Sequence, residues 1–170
     1  LGEQLAIENN IIADVVVPIP DSGVSAAIGF SQKSKIPFEL GIIRSHYVGR
    51  TFIEPSQTIR QFGVKLKHSV NKSCIENKNV ILIDDSIVRG HTSKNIVRMV
   101  KRCGAKKVFL ASASPPIRHQ NIYGIDMPAT TELVAHNRSV KEIKKYIKAD
   151  ELIYQSLEDL KRSASIGNPK

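Results

Sequence analysis

The sequence predicts an α/β fold in which helices flank a central, mostly parallel β-sheet. Short apolar segments rich in β-branched residues alternate with segments whose apolar residues recur at helical spacing. The clearest pair joins a predicted strand at 80–83 to a helical pattern that ends near Gly104. A second pair has the same order, with a strand at 14–20 and a helix from Val24. This alternation is typical of a parallel sheet covered by helices.

The remaining elements are shorter. Three further strands are predicted, at 39–43, 107–113 and 151–154. A short helix is predicted at the start of the chain, ending near Asn9. Ser139 and Glu142 have the spacing of a capping box, and Ser156 has the place of the N-cap of the last helix. Residues 163–170 are expected to be a frayed tail.

Length and composition indicate one domain of ordinary globular character. The chain has 170 residues, of which 41% are hydrophobic and 24% charged. No apolar run is long enough for a transmembrane helix, so no membrane partner is expected. Cys74 and Cys103 form no CxxC motif. We therefore expect neither a disulfide framework nor a cysteine metal site, and a reducing cytoplasm is the expected location.

The formal net charge of +9 calls for anionic partners. Nucleic acid is one candidate, but only 5% of the residues are aromatic, tryptophan is absent and no dense Lys/Arg tract occurs. Phosphates and pyrophosphate account for the charge equally well. We therefore expect small anions, and no nucleic acid, as partners.

The most informative stretch couples an acidic pair to a glycine turn. Asp84 and Asp85 follow the buried strand, and a turn containing Gly90 then leads into the next helix. Ligands of parallel sheets bind outside the carboxyl ends of the strands, and a helix N-terminus suits phosphate. Carboxylates at this place can accept hydrogen bonds from sugar hydroxyls or hold Mg²⁺. The stretch therefore predicts a site for a sugar that carries a phosphate.

A second polar turn, Asp21-Ser22-Gly23, repeats this architecture after the strand at 14–20. By itself Asp21 or Ser22 could simply cap the following helix, since both residue types are favoured N-caps. Because two such turns on neighbouring strands would face one crevice, we expect this turn to belong to the same site.

The segment from Arg44 to about Lys72 is basic and keeps no clear period. It contains six Lys/Arg residues and a single acid, Glu54. Loops of this length in a compact domain are usually functional lids or disordered segments. The alternative is that this segment is a solvent-exposed basic loop without a function. The sign of the charge favours a flexible lid that closes over an anionic ligand.

Residues 80–93 resemble the phosphoribosyl-diphosphate (PRPP) signature of type I phosphoribosyltransferases. Longer stretches resemble the amidophosphoribosyltransferase (glutamine PRPP amidotransferase) family, namely VPIPDSG at 17–23, YVGRTF at 47–52, DDSIVRG at 84–90 and YGIDMP at 123–128. The resemblance runs from about Leu1 to Leu160. It implies a type I phosphoribosyltransferase domain at 1–160 with a tail at 161–170. The family's N-terminal glutaminase domain is expected to be missing upstream.

The resemblance implies an enzyme, a glycosyltransferase of the pentosyltransferase class. Ammonia, derived from glutamine in the full-length enzyme, would displace pyrophosphate from PRPP and give 5-phosphoribosylamine. This is the first committed step of de novo purine biosynthesis. It also implies feedback inhibition by purine nucleotides and a homo-oligomer. No nucleophilic side chain is expected.

The resemblance also implies roles for individual residues. The acidic pair Asp84 and Asp85 would contact the ribose hydroxyls and place Mg²⁺ together with Ser22. The 5-phosphate would be cradled by Arg89, Gly90, His91, Thr92 and Ser93. Pyrophosphate would be held by the loop of Pro20, Asp21, Ser22 and Gly23. The flexible loop would begin with Arg44, Tyr47 and Arg50.

Two positions depart from the family. His91 stands where the family usually has Thr, so the loop would bind phosphate through backbone N–H groups, with a ring that could help or crowd the ligand. Asn121 stands where some members have a cysteine that binds an iron–sulfur cluster. No iron–sulfur cluster is therefore expected.

Three alternatives stay open. One is a PRPP- or nucleotide-sensing regulator with this fold but without catalysis. A second is a phosphoribosyltransferase that accepts a purine base or orotate. The third is a nucleic-acid-binding module, whose affinity would fall steeply with salt and would not respond to PRPP.

Overall fold

The fold is organised around a four-stranded parallel sheet. A computed structural model describes residues 1–44, 68–120 and 127–166. The strands of this sheet, in their order across it, are β1 (Val15–Pro18), β4 (Asn79–Asp84), β5 (Lys107–Ser112) and β6 (Glu151–Tyr154). All three pairings are parallel, which confirms the predicted α/β architecture.

Six α-helices are described alongside the strands. They are α1 (Gly2–Glu8), α2 (Val24–Ser34), α3 (Lys72–Ile75), α4 (His91–Arg102), α5 (Val140–Ile147) and α6 (Leu157–Ser165). A 3₁₀ turn spans Thr130–Glu132. None of the helices in the described ranges is long and apolar enough to cross a membrane.

Alternate residues of β4 belong to two hydrophobic clusters, one on each face of the sheet. Val80 and Leu82 pack on the side of α4 and α5, whereas Ile81 and Ile83 pack on the side of α1 and α2. All four side chains have no exposed surface. Burial on both faces explains why this strand is continuously apolar, as strands in helix-covered parallel sheets are.

The prediction of a strand at 39–43 is wrong in its bounds and in the sheet that the strand joins. The observed strand β2 (Ile42–Arg44) begins later and pairs antiparallel with β3 (His68–Val70), outside the central sheet. Residues 37–39 touch the edge of β1 only through an isolated bridge between Phe38 and Val16. Val16 uses both its N–H and its carbonyl in this bridge, and the next β1 residue on the same side is Pro18, which has no N–H to donate. The ladder therefore ends after the bridge.

The predicted helix caps are confirmed. The Ser139 hydroxyl accepts the Glu142 N–H at 3.3 Å, and the Glu142 carboxylate accepts the Ser139 N–H at 2.8 Å. The Ser156 hydroxyl accepts the Asp159 N–H at 3.1 Å. The last helix extends through Ser165, so residues 163–165 are helical where a frayed tail was predicted, and residues 167–170 lie outside the described residues.

Candidate functional site

The pairing of β1 with β4 brings the two predicted turns to one edge of the sheet. Pro18 lies beside Ile83 in the parallel register. The Ile19 N–H continues the ladder by donating to the Ile83 carbonyl at 2.8 Å, and the Gly23 N–H turns back to the Ile19 carbonyl at 3.0 Å. The loop of residues 20–23 therefore lies next to Asp84.

Gly23 fits this place because it has no side chain. A Cβ at this position would lie 2.3 Å from the Ile83 carbonyl oxygen and 2.8 Å from the Ile19 carbonyl oxygen. Gly23 is buried, whereas Asp21 and Ser22 are exposed at the surface of the loop. The peptide bond between Pro20 and Asp21 is cis. The glycine thus seats the loop against β4 while its polar side chains face outward.

Asp84 is a buried carboxyl group that has no cationic partner among the described residues. It is 7% exposed and forms no ion pair within the described ranges. Burial, with the adjacent charge of Asp85 as a smaller cause, raises the pKa of Asp84 to about 8. The Asp85 N–H donates to the Asp84 Oδ1 at 3.0 Å, and this hydrogen bond partly offsets the rise in the pKa of Asp84. Asp85 itself is exposed, and its Oδ1 accepts the Ser86 N–H at 2.7 Å.

The donor set suits a magnesium ion that is bound together with a ligand. Mg²⁺ is usually held by one or two carboxylates plus waters and phosphate oxygens. No group of three or more His, Cys, Asp or Glu side chains in the described part of the chain could hold a metal. Two adjacent carboxylates, one of them desolvated and uncompensated, fit an ion whose other ligands come from water and substrate. The Ser22 hydroxyl is the additional oxygen donor in the neighbouring loop.

The turn after the acidic pair presents a helix N-terminus. Gly90 is the N-cap of α4 with φ of 73°, a left-handed conformation that favours glycine. A Cβ there would also lie 3.0 Å from the Val134 side chain. The first intrahelical bond runs from the Lys94 N–H to the Gly90 carbonyl, and no side chain in the described part of the chain caps the helix. The earlier N–H groups are therefore available to an anion.

The side chains of this turn take different directions. Arg89 forms an exposed ion pair with Glu132 at 3.3 Å. His91 and Thr92 are exposed, whereas Ser93 is 3% exposed. The His91 Nδ1 lies 3.0 Å from the Tyr146 hydroxyl. No pattern in the sequence indicates the contact of Arg89 with Glu132 or that of His91 with Tyr146, because both join residues that are far apart in the chain.

The predicted basic lid is described only at its two ends, at Arg44 and at residues 68–72. Arg44 ends β2, and its Nη1 lies 2.8 Å from the Asp21 carboxylate, with both side chains exposed. Tyr47 and Arg50 lie outside the described residues, as do Asn121 and residues 123–126 of the YGIDMP stretch. Cys74 and Cys103 are both free and partly buried.

Comparison with known proteins identifies the family. Residues 4–124, well over half of the chain, match the sequence model described as "Phosphoribosyl transferase domain". The chain belongs to the phosphoribosyltransferase domain family. This assignment accounts for an acidic strand end, a glycine turn and a helix N-terminus on one edge of a parallel sheet.

Within this family the chain is similar to amidophosphoribosyltransferases over nearly its whole length, which confirms the predicted resemblance. It is 54% identical over 164 residues to "Amidophosphoribosyltransferase" from Rhizobium etli, covering 96% of this chain and 33% of the relative. It is 53% identical over 161 residues to "Amidophosphoribosyltransferase 1, chloroplastic" from Arabidopsis thaliana, covering 95% of this chain and 28% of the relative.

A solved structure gives the same result for the fold. The chain superposes on glutamine PRPP amidotransferase from Bacillus subtilis, complexed with ADP and GMP, with a TM-score of 0.87. The two are 47% identical, and the match covers 99% of this chain and 37% of that one. This phosphoribosyltransferase chain thus spans about a third of the length of the curated relatives it matches.

The burial of Asp84 generates a prediction about pH. In the unfolded chain this carboxyl ionises near its ordinary pKa of 3.8, whereas in the folded protein its pKa is about 8. Between these values the folded state holds a proton that the unfolded state has lost, so the free energy of unfolding should fall as pH rises toward 8. We expect Asp84→Asn to remove this fall and to stabilise the metal-free protein at pH 8 by about 2 kcal/mol.

Urea unfolding at several pH values measures this effect. Glu158→Gln, which neutralises an exposed carboxylate of α6, is the control and should leave the pH dependence intact. An Asp84→Asn protein with the pH profile of the parent would contradict the assigned cause.

The packing of Gly23 generates a second prediction. We expect Gly23→Ala to destabilise the protein by about 1–3 kcal/mol, because the added methyl group meets backbone oxygens. Gly41→Ala is the control, because its nearest neighbours are side-chain methyl groups of Ile75 and Val17 at 3.1 Å. Urea unfolding would measure the loss of stability, and an equal loss in the two variants would contradict the prediction.

Proposed function

We propose that this chain binds PRPP at the carboxyl edge of its sheet and transfers ammonia to the ribose. The C1–O bond to pyrophosphate breaks, a C1–N bond forms, and the attacking nitrogen loses a proton to water, giving 5-phosphoribosylamine and pyrophosphate. The observation that carries the proposal is the meeting of the Asp84-Asp85 pair, the free N-terminus of α4 and the loop at 20–23 on one edge. Membership of the phosphoribosyltransferase family supports it.

Each part of the edge suits one part of PRPP. The carboxylates of Asp84 and Asp85 accept hydrogen bonds from the ribose hydroxyls. The N–H groups at the start of α4, with the side chains of Thr92 and Ser93, hold the 5-phosphate. The loop at 20–23 faces the diphosphate. When bound, Mg²⁺ held by the acidic pair with Ser22 would supply positive charge that stabilises the departing pyrophosphate.

The ion pair of Arg44 with Asp21 gives the start of the lid a role in this proposal. A free Asp21 carboxylate would repel a diphosphate bound to its own loop. Arg44 neutralises that carboxylate across an exposed contact of 2.8 Å. The guanidinium has five N–H donors, so it can contact the diphosphate while it stays paired with Asp21 when PRPP binds.

No side chain need form a covalent intermediate in this reaction. The C1 centre develops positive charge as pyrophosphate leaves, and negative charge collects on the leaving group. The protein acts by orienting the ribose, neutralising the leaving group and keeping water away from C1. A closed lid carrying Tyr47 and Arg50 would exclude water, which would otherwise compete with ammonia.

The setting of this reaction belongs to the same proposal. Residues 1–160 would be the phosphoribosyltransferase domain, with a tail at 161–170. A glutaminase domain in a longer protein would supply ammonia to it, in a cytoplasmic homo-oligomer that makes purines. The Bacillus relative was solved with ADP and GMP, which supports purine nucleotides as regulators. An Arabidopsis relative is named chloroplastic, so the compartment differs among relatives.

The experiment measures pyrophosphate release from PRPP and Mg²⁺, with and without ammonium near pH 8. We expect ammonium-dependent release, and a loss of about 100-fold or more in Asp84→Asn/Asp85→Asn, because the ribose and the metal lose their ligands. Glu3→Gln/Glu158→Gln removes the same charge at exposed positions in α1 and α6 and should leave the rate unchanged.

Other outcomes would favour the alternatives. PRPP binding without release would favour a sensing regulator. Release that requires a purine base or orotate instead of ammonium would favour another phosphoribosyltransferase. Full activity of the acidic double variant would contradict the assigned site.

A further inference from the structure

A basic cavity lies on the outer side of α4, away from the sheet. Its volume is ≈ 340 Å³, and it is lined by His91, Lys94, Asn95, Arg98 and Lys148. All five side chains are polar, three of them carry positive charge and none is acidic. The volume falls at the lower end of the range of small-molecule sites.

This cavity is separate from the edge that we assign to PRPP. The inner face of α4 buries Ser93, Ile96, Val97 and Val100. At 3.6 residues per turn, the cavity residues of α4 lie on the opposite side of the helix. Lys148 comes from another element, as the C-cap of α5. Only His91 is shared with the predicted phosphate turn.

The positive charges that line the cavity are not neutralised by any acidic side chain of the described residues. Lys94, Arg98 and Lys148 form no ion pair in the part of the chain that the structure describes. The acids that follow Lys148 are already engaged, Asp150 with Lys101 at 3.0 Å and Glu151 with Lys144 at 3.2 Å. Like charges gathered at one cavity repel one another, and a bound anion would offset that cost.

Tyr146 holds two of the lining side chains in place. Its hydroxyl lies 3.0 Å from the His91 Nδ1. The Lys94 ammonium lies over its ring, 4.3 Å from the centroid. Arg138 approaches the same ring, with its Cζ 5.7 Å from the centroid. Since cation–π contacts and a hydrogen bond fix these groups before a ligand arrives, less ordering is needed when an anion binds.

We propose that this cavity is a second anion site, which binds a small molecule carrying a diphosphate or two phosphate groups. His91 and Arg98 are seven residues apart, so the donors extend about 10 Å along α4. One phosphate would reach only part of that length. Arginine suits bidentate phosphate contacts, and Lys94, Lys148 and the Asn95 amide supply further donors. The site stands on this geometry alone and does not depend on the proposed reaction.

The test is an NMR titration of the ¹⁵N-labelled chain with inorganic pyrophosphate, and separately with inorganic phosphate, both without Mg²⁺. Pyrophosphate should shift the amides of Lys94, Asn95, Arg98 and Lys148, and it should bind more tightly than phosphate. Lys94→Ala/Arg98→Ala should weaken this binding about 10-fold or more. Lys141→Ala/Lys145→Ala, which removes two exposed charges of α5, should change it less than twofold.

Several outcomes separate this inference from the proposed function. In Asp84→Asn/Asp85→Asn the shifts at Arg98 and Lys148 should persist, whatever happens to PRPP binding. Arg98→Gln provides a second variant if the double variant does not fold. An equal loss of pyrophosphate affinity in Lys94→Ala/Arg98→Ala and in the control Lys141→Ala/Lys145→Ala would overturn the proposal. It would also be overturned by absent shifts on this face, or by a short oligonucleotide that displaces pyrophosphate at lower concentration.

Discussion

The parallel pairing of β1 with β4 is the constraint on which the candidate site depends. Its register sets Pro18 beside Ile83, and one further backbone hydrogen bond from Ile19 carries the ladder past the end of β1. That bond fixes where the polypeptide turns, and Gly23 allows the turn to lie directly on the Ile83 carbonyl. Asp84 follows Ile83 in the chain. A shift of one residue would exchange the side chains that the strand presents to the two hydrophobic clusters, and it would move the loop at 20–23 away from Asp84.

The electrostatics of the edge follow from this packing. Because β4 is covered on both faces, its last residue is buried although it is an acid, and the raised pKa of Asp84 reports that cost. The protein places N–H donors at the start of α4 nearby but no cationic side chain against Asp84 in the described ranges. An edge of this kind favours a ligand that brings its own cation and its own phosphates. The burial of Asp84 lowers the stability of the folded protein, and costs of this kind are common at functional sites.

Much of this arrangement could be predicted from sequence because its causes are local. A continuously apolar strand, an acidic pair, a glycine turn and a helical period identify the β4–α4 unit, and the resemblance to amidophosphoribosyltransferases was confirmed. The strand at 39–43 was predicted wrongly, because apolar content alone does not show which sheet edge a segment joins. The contact of His91 with Tyr146 links residues that are 55 positions apart, and no pattern within either helix signals it.

The roles of individual residues remain predictions, and the metal offers the most direct test of them. Mn²⁺ can replace Mg²⁺ as a paramagnetic probe of amide resonances. With PRPP present, Mn²⁺ should broaden the amides of Ser22, Gly23, Asp85 and Ser86, while those of α6 stay sharp. Without PRPP the broadening should be much weaker, because two carboxylates alone hold the ion poorly. Broadening centred elsewhere, or unchanged in Asp84→Asn/Asp85→Asn, would contradict the central claim that this edge binds PRPP with its metal.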